Sequence, residues 1–292
     1  APLKTSIVPT RATGAATFTR ATTATVFTDE GKLVTVPTGV ARFPGARFVR
    51  NLFLRSERFD QTGWTKTNIT PTIGQTDHLG GTKAILMTVG TSTANLLSTT
   101  SVGAIDNVSG DEVCFSIYIK SGNWNQFVLQ VQSSTKNVHQ YFNLSGGGTL
   151  GTTNTTNGGI KVQSQLEDVG GGWFRVQLTA KFAQGDGTIT CLLRAVKADG
   201  VANYADPGGV GGATYYVAFA MGEKTERRTL KTASEYISTG EDSTPWHGAG
   251  ADSCKWFATH HDGSAISDEE LLGYQYCSTN RTNLVLWNRD LT

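Results

Sequence analysis

The sequence predicts an all-β chain: an antiparallel two-sheet sandwich with extended N- and C-terminal arms. Three observations carry that prediction. Apolar and polar residues alternate along a series of strand-length runs in the middle of the chain. Clusters of Gly, Asn, Ser and Thr punctuate those runs, and no helical period separates them. Hydrophobic content is 38% and charged content only 17%, against about 25% charged in ordinary domains, with small β-tolerant residues filling the difference.

The strands follow in order. Lys83–Val89 is the first regular one. Val113, Phe115, Ile117 and Ile119 then alternate with Cys114, Ser116, Tyr118 and Lys120. Phe127, Leu129 and Val131 alternate with Val128, Gln130 and Gln132; Val138, Gln140, Phe142 and Leu144 alternate with His139, Tyr141 and Asn143. Ile160–Val169 follows, and then Phe174, Val176, Leu178, Ala180 and Phe182 alternate with Trp173, Arg175, Gln177, Thr179 and Lys181. Thr188–Val196 and Tyr215–Met221 complete the set. A period of two sends each set to its own side of a sheet. Eight or so such strands, each with one apolar face, fit two stacked layers. Turn chemistry stands between them at Ser121-Gly122-Asn123, Gly146-Gly147-Gly148, Gly170-Gly171-Gly172 and Gly185-Asp186-Gly187. One helix signal appears, the capping-box spacing of Ser267-Asp268-Glu269-Glu270 before Leu271-Leu272 and Gly273.

The flanks differ from this middle. Residues 1–44 are read as an extended anchoring and oligomerising arm, 45–240 as the sandwich, and 241–292 as a second arm leading toward a possible further module. The first arm is rich in Thr, Ala and Arg and has too few apolar residues for a core of its own, so it must pack on something else. It holds one hairpin signal: Ala24-Thr25-Val26-Phe27, a turn at Asp29-Glu30-Gly31, then Leu33-Val34-Thr35-Val36. The second arm echoes it. Asn51-Leu52-Phe53-Leu54 is matched by Asn283-Leu284-Val285-Leu286, and the same spacing separates Gly31 from Asn51 as Gly263 from Asn283. Acidic residues precede both glycines, and an aromatic, Phe27 or Phe257, precedes each turn. Such a repeat leads us to expect either a chain that continues past Thr292 or the loss of a C-terminal domain.

With 25 Lys+Arg against 24 Asp+Glu the net charge is +1, which provides no long-range pull toward nucleic acid or an anionic membrane, and neither is expected as a partner. Apolar runs fall short of the ~18 residues of a membrane-spanning helix. Four cysteines are too few for a disulfide scaffold; Cys114, Cys191, Cys254 and Cys277 are expected as reduced thiols, with a Cys254–Cys277 pair or a link between subunits as the alternative.

Four landmarks stand in a fixed order. They are Asn51-Leu52-Phe53-Leu54-Arg55-Ser56-Glu57-Arg58-Phe59 with Trp64-Thr65-Lys66; Phe115-Ser116-Ile117-Tyr118-Ile119-Lys120-Ser121-Gly122; Val169-Gly170-Gly171-Gly172-Trp173-Phe174-Arg175-Val176; and Ala233-Ser234-Glu235-Tyr236-Ile237-Ser238-Thr239. Together with the upstream Ala16–Thr25 segment, this string resembles a module carried by many bacteriophage virion proteins of tail-fibre and structural type. The resemblance covers about residues 45–240. It implies a jelly roll like those of carbohydrate-binding modules and lectins, located in a virion assembled in the bacterial cytoplasm. It also implies a homo-oligomer, often a trimer; the expected partners are further copies of the chain, other virion proteins and host-surface glycan, unless the sandwich only presents downstream domains. In one departure, Ser238 stands where the module usually has Pro.

On this reading the chain is a fibre or spike subunit with a lectin-like sandwich. The alternatives are a capsid decoration (cement) protein and a glycan-cleaving tailspike. The carbohydrate-binding candidates are Tyr118, Lys120, Trp124, Gln130, Gln132, His139, Tyr141, Arg175 and Arg194, with Asn143 beside them, because sugars need flat aromatic faces and planar hydrogen-bonding groups. All but Trp124 are expected to share one sheet face. A solvated outer face, or one packed on another subunit, would show the same pattern. Trp124 is placed in a turn, as a stacking residue or folded back over the sandwich edge. Trp173 and Trp64 are expected to close opposite ends of the core. No metal or other cofactor is expected: His260-His261-Asp262 lacks ligand spacing and reads as a hairpin turn. No catalytic elbow, phosphate loop or zinc-protease helix occurs, and Gly208–Gly212 is followed by a strand signal, so the chain is not expected to be an enzyme.

Overall fold

The computed structural model describes residues 20–40, 42–91, 95–99, 112–134, 136–183, 186–201, 212–225, 228–239, 254–257 and 259–267. The proposed helix after Ser267, the Asn283 echo, Cys277 and most of the Gly208–Gly212 run lie outside these residues. The chain divides into two compact units: residues 52–226 with 231–242, and the flanking segments with 227–230.

The larger unit is the expected sandwich. Its strands are β4 (Trp64–Thr67), β5 (Ile69–Gln75), β6 (Ala84–Val89), β7 (Leu96–Thr99), β8 (Glu112–Ser121), β9 (Gln126–Ser133), β10 (Lys136–Asn143), β11 (Thr149–Thr156), β12 (Ile160–Gly170), β13 (Trp173–Lys181), β14 (Ile189–Ala195) and β15 (Thr214–Lys224). They form two antiparallel six-stranded sheets, ordered β11-β10-β9-β14-β7-β4 and β12-β13-β8-β15-β6-β5. The first sheet sends Phe127, Leu129, Val131, Phe142 and Leu193 inward; the second sends Phe115, Ile117, Phe174, Val176 and Val217 to meet them in one buried core. Trp64 joins that core, edge-on to Phe53 and Phe59, as expected of an end plug. Cys114 and Cys191 are buried thiols of this unit.

Gln140 stands on the apolar face of β10 and is fully buried. Its Oε1 accepts from Thr153 Oγ1 (2.8 Å), Lys161 Nζ (2.7 Å) and Ser164 Oγ (3.0 Å), and its Nε2 donates to Gly151 O (2.9 Å). The edge strands β11 and β12 thus satisfy this amide, which the alternation of β10 places between the layers.

After β15 the chain doubles back as a strap, residues 231–239, which joins neither sheet. Side chains of the second sheet fasten it. Arg175 Nη2 donates to Ser234 O (2.5 Å) and Thr179 Oγ1 to Lys231 O (2.5 Å). Gln177 Oε1 accepts from Ala233 N (2.5 Å) and Glu223 Oε1 from Ser234 N (2.6 Å). Ser56 Oγ accepts from Thr239 N (2.9 Å). The closing landmark of the sequence is this strap.

The smaller unit contains β1 (Ala24–Phe27), β2 (Leu33–Val36), β3 (Arg47–Arg50) and β16 (Cys254–Phe257). β1 pairs with β2 in the expected hairpin, and β3 pairs with β16. Val26, Val36, Val40, Phe43 and Ala46 form a small core with Cys254 and Trp256. The few apolar residues of the first arm therefore find their cover in the second. The internal echo has a structural counterpart here. Thr28 N donates to Lys32 O (2.9 Å) and Gly31 N to Thr28 O (2.9 Å); His260 N donates to Ser264 O (2.8 Å) and Gly263 N to His260 O (3.0 Å). Gly31 and Gly263 sit at the same turn position with φ of 66° and 88°, a conformation glycine adopts without strain. His260-His261-Asp262 is a hairpin turn, and His260 Nδ1 lies 3.0 Å from Asp29 Oδ2, joining the two turns.

Candidate functional site

The expectation of one shared face does not hold, because the candidates divide between the outer faces of the two sheets. Tyr118, Lys120 and Arg175 lie on β8 and β13 of the second sheet; Gln130, Gln132, His139, Tyr141, Asn143 and Arg194 lie on β9, β10 and β14 of the first. The cause is the connection at Ser121–Asn125. It resembles a hairpin turn, yet it carries the chain from one layer to the other, since β8 and β9 are never paired. Trp124 sits on that crossover, half-buried against the core, and its Nε1 donates to Gln126 O (3.1 Å) and Val196 O (3.0 Å). It is folded back over the edge.

On the first sheet, register sets the candidates in rows. Thr190, Gln132, Asn137 and Thr156 form one; Leu192, Gln130, His139 and Asn154 the next; Arg194, Val128 and Tyr141 the third. Gln130 Nε2 donates to Gln132 Oε1 (2.8 Å) and Asn137 Oδ1 (2.9 Å), so these amides largely satisfy one another. Gln130, His139 and Tyr141 are buried. Burial, with the Arg194 charge as a second cause, holds His139 below the usual imidazole value.

The second sheet differs in kind. Trp173, Lys120, Tyr216 and Leu86 form one row across β13, β8, β15 and β6, and Arg175, Tyr118 and Ala218 form the next. The glycine turn ahead of β13, with φ of 90°, 63° and 78° at Gly170, Gly171 and Gly172, delivers Trp173 to this outer face. Trp173 therefore does not close the end of the main core; it belongs to a separate cluster with Ala84, Tyr118, Ala218 and Phe219. Its ring lies 6.5 Å from that of Tyr216. His78, from the β5–β6 loop, stacks on Tyr118 at 4.2 Å, and the Arg175 guanidinium stands 5.5 Å from the Tyr118 ring. Trp173 and Tyr118 are buried, while His78, Lys120 and Tyr216 are half-exposed around them.

The described residues offer no side-chain hydrogen-bond partner to His78, Tyr118, Lys120, Trp173 or Tyr216. Burial raises the pKa of the Tyr118 hydroxyl and lowers that of the His78 imidazole, disfavouring the charged form of each. The face therefore presents aromatic surface together with indole, phenol, imidazole and ammonium groups whose hydrogen-bonding capacity is unspent. Arg175, in contrast, is committed to Ser116 Oγ (3.2 Å) and to the strap. Sequence reasoning missed His78, in an irregular loop, and Tyr216. Tyr216 was legible, since it alternates with the core residues Tyr215 and Val217. Among the described residues, no group of three His, Cys, Asp or Glu side chains could hold a metal ion.

No protein-family model matches the chain. A search of curated proteins returns no match. Among solved structures, the chain is similar to a Clostridium thermocellum endo-1,4-β-D-xylanase 10B fragment. That fragment holds a family 22 carbohydrate-binding module and a family 10 hydrolase module, complexed with xylohexaose. Identity is 12% over 60% of this chain and 28% of that one, with a TM-score of 0.33. The match thus spans well under two thirds of the xylanase fragment. The chain is also similar to the family 22 xylan-binding domain of Paenibacillus barcinonensis Xyn10C, at 13% identity over 65% and 98% of the two chains, TM-score 0.36. A family 29 carbohydrate-binding module complexed with cellulohexaose matches at 10% identity over 62% and 92%, TM-score 0.30.

Proposed function

We propose that this chain is a structural subunit of a phage particle, of fibre or spike type, whose β-sandwich binds host-surface glycan. The binding surface is the outer face of the second sheet, around Trp173, Lys120, Tyr216, Tyr118 and His78. One observation carries the reading: on this face, aromatic side chains stand together with polar groups that the described residues do not satisfy. Saccharides present apolar C–H faces and dense hydroxyl pairs, and a site for them combines flat rings with free donors and acceptors. Structural polar groups in a folded chain, in contrast, are ordinarily paired, as they are among Gln130, Gln132 and Asn137.

Assignment to a virion rests on the resemblance of the four landmark segments. The glycan reading rests on the site and stands without it. An array of bacterial surface glycans, probed with the intact protein and with a Trp173→Ala/Tyr216→Ala variant, tests the reading. Binding by the parent and its loss in a folded variant is the expected result. A parent that binds no glycan, or a folded variant that binds as well as the parent, removes the assignment. Immunogold imaging of particles separates a tail location from a head location.

A further inference from the structure

The charge at the centre of this face narrows the ligand class. Register places Lys120 between Trp173 and Tyr216, in the middle of the row. Its stem passes the turn glycine Gly172, where even an added Cβ would touch Lys120 Cε at 3.6 Å. The side chain is half-buried, and among the described residues its ammonium forms no ion pair or hydrogen bond.

Three of the acidic groups around the face, Asp77, Glu57 and Asp168, are otherwise engaged. Asp77 Oδ1 accepts from Leu79 N (2.9 Å) and Gly81 N (3.0 Å), and its Oδ2 accepts from Lys83 N (3.1 Å). Glu57 is paired with Lys83 at 2.5 Å. Asp168 Oδ1 accepts from Gly170 N (2.8 Å). Glu167, on the edge strand, stands opposite Arg175 in register, in the row beside that of Lys120. A half-buried ammonium loses hydration, and none of the described residues replaces it. A carboxylate does so best, through a charge-assisted hydrogen bond with rings on either side excluding water.

Building on the glycan-binding reading above, we infer that the face takes an acidic saccharide, one carrying a carboxylate on the sugar ring, with Lys120 as its anchor. Trp173 and Tyr216 flank the sugar, and Lys120 selects its charge.

The test uses matched pairs: polygalacturonate, alginate and hyaluronan fragments, each beside its carboxyl-reduced form, titrated into the intact protein by calorimetry. The expected result is that at least one acidic member binds and its reduced partner binds at least tenfold more weakly. Lys120→Met should abolish that difference, Lys120→Arg should keep most of it, and raised salt should weaken the acidic ligand alone. Unchanged thermal unfolding of Lys120→Met shows that the effect is local. Equal binding of acidic and reduced forms, or an undiminished preference in Lys120→Met, overturns the inference and leaves the glycan reading in place. Failure to bind any member of any pair overturns the inference, while the glycan array decides the broader reading.

Discussion

His78 lies flat on Tyr118, ring centroids 4.2 Å apart and planes 10° from parallel. The loop that delivers it is shaped by its neighbour. Asp77 is buried and accepts three backbone N–H groups across the β5–β6 turn, and Gly81 approaches so closely that an added Cβ would lie 2.7 Å from Asp77 Oδ2. Asp77→Ala leaves those donors without an acceptor and should cost about 2 kcal/mol. It should also free His78 from Tyr118. Chemical denaturation measures the first effect, and the His78 ring shifts in an NMR spectrum report the second. Unchanged ring shifts in the variant would show that the loop is held by other means.

Arg175, on β13, connects β8 with the strap: it reaches Ser116 and the ring face of Tyr118 on the one and Ser234 in the other. Arg175→Ala leaves the Ser234 carbonyl buried without its donor, at a cost of about 2–3 kcal/mol. Protease digestion should then cut first within 231–239 while the sheets stay resistant. Cleavage elsewhere, with the strap intact, would contradict this role.

The pH dependence has a definite sign. His139 and His78 are both held below the usual imidazole range, by burial first. In the unfolded chain each titrates near about 6.5, so below that value the unfolded state takes up protons that the native state refuses. Stability is therefore complete above about pH 6.5 and falls as the pH drops below it. Asp60, held below the usual carboxylate range by its bond to Arg58, adds a loss of the same sign in stronger acid. Melting temperatures taken from pH 7.5 down to 5 should fall, and His139→Asn should flatten the upper part of the curve. A melting temperature that rises on acidification would refute the assignment.

The Cys191 thiol is pushed well above its ordinary value, by burial and then by the proximity of Cys114. Thiolates, not thiols, react with alkylating reagents. In the native protein at pH 8, Cys191 and Cys114 should resist maleimide over hours and react promptly once guanidinium unfolds the chain. Peptide mass mapping distinguishes the four cysteines. Rapid native labelling at Cys191 would mean that the sandwich opens.

Alternation made the core legible: Phe115, Ile117 and Ile119, or Phe174, Val176 and Leu178, point inward as their spacing dictates. Other elements leave little trace in the sequence. β11, Thr149–Thr156, is an exposed edge strand with no buried residue, so it lacks any apolar period. β4 and β7 have four residues each, too few to show one. The candidate site was only partly visible for a related reason. Spacing fixes which side of its own strand Tyr118 or Tyr141 takes. It does not encode which sheet the strand enters, because that depends on pairing with distant partners. β8 lies between β13 and β15, and β9 between β10 and β14. His78 reaches the face only through long-range packing of a loop.

The strap deserves a mechanical reading. It lies across the second sheet but is fastened by Arg175, Gln177, Thr179, Glu223 and Ser56 side chains rather than as a seventh strand. A segment held in this manner peels away without opening either layer. A pull on this segment would therefore load those side-chain bonds before the ladder bonds of either sheet.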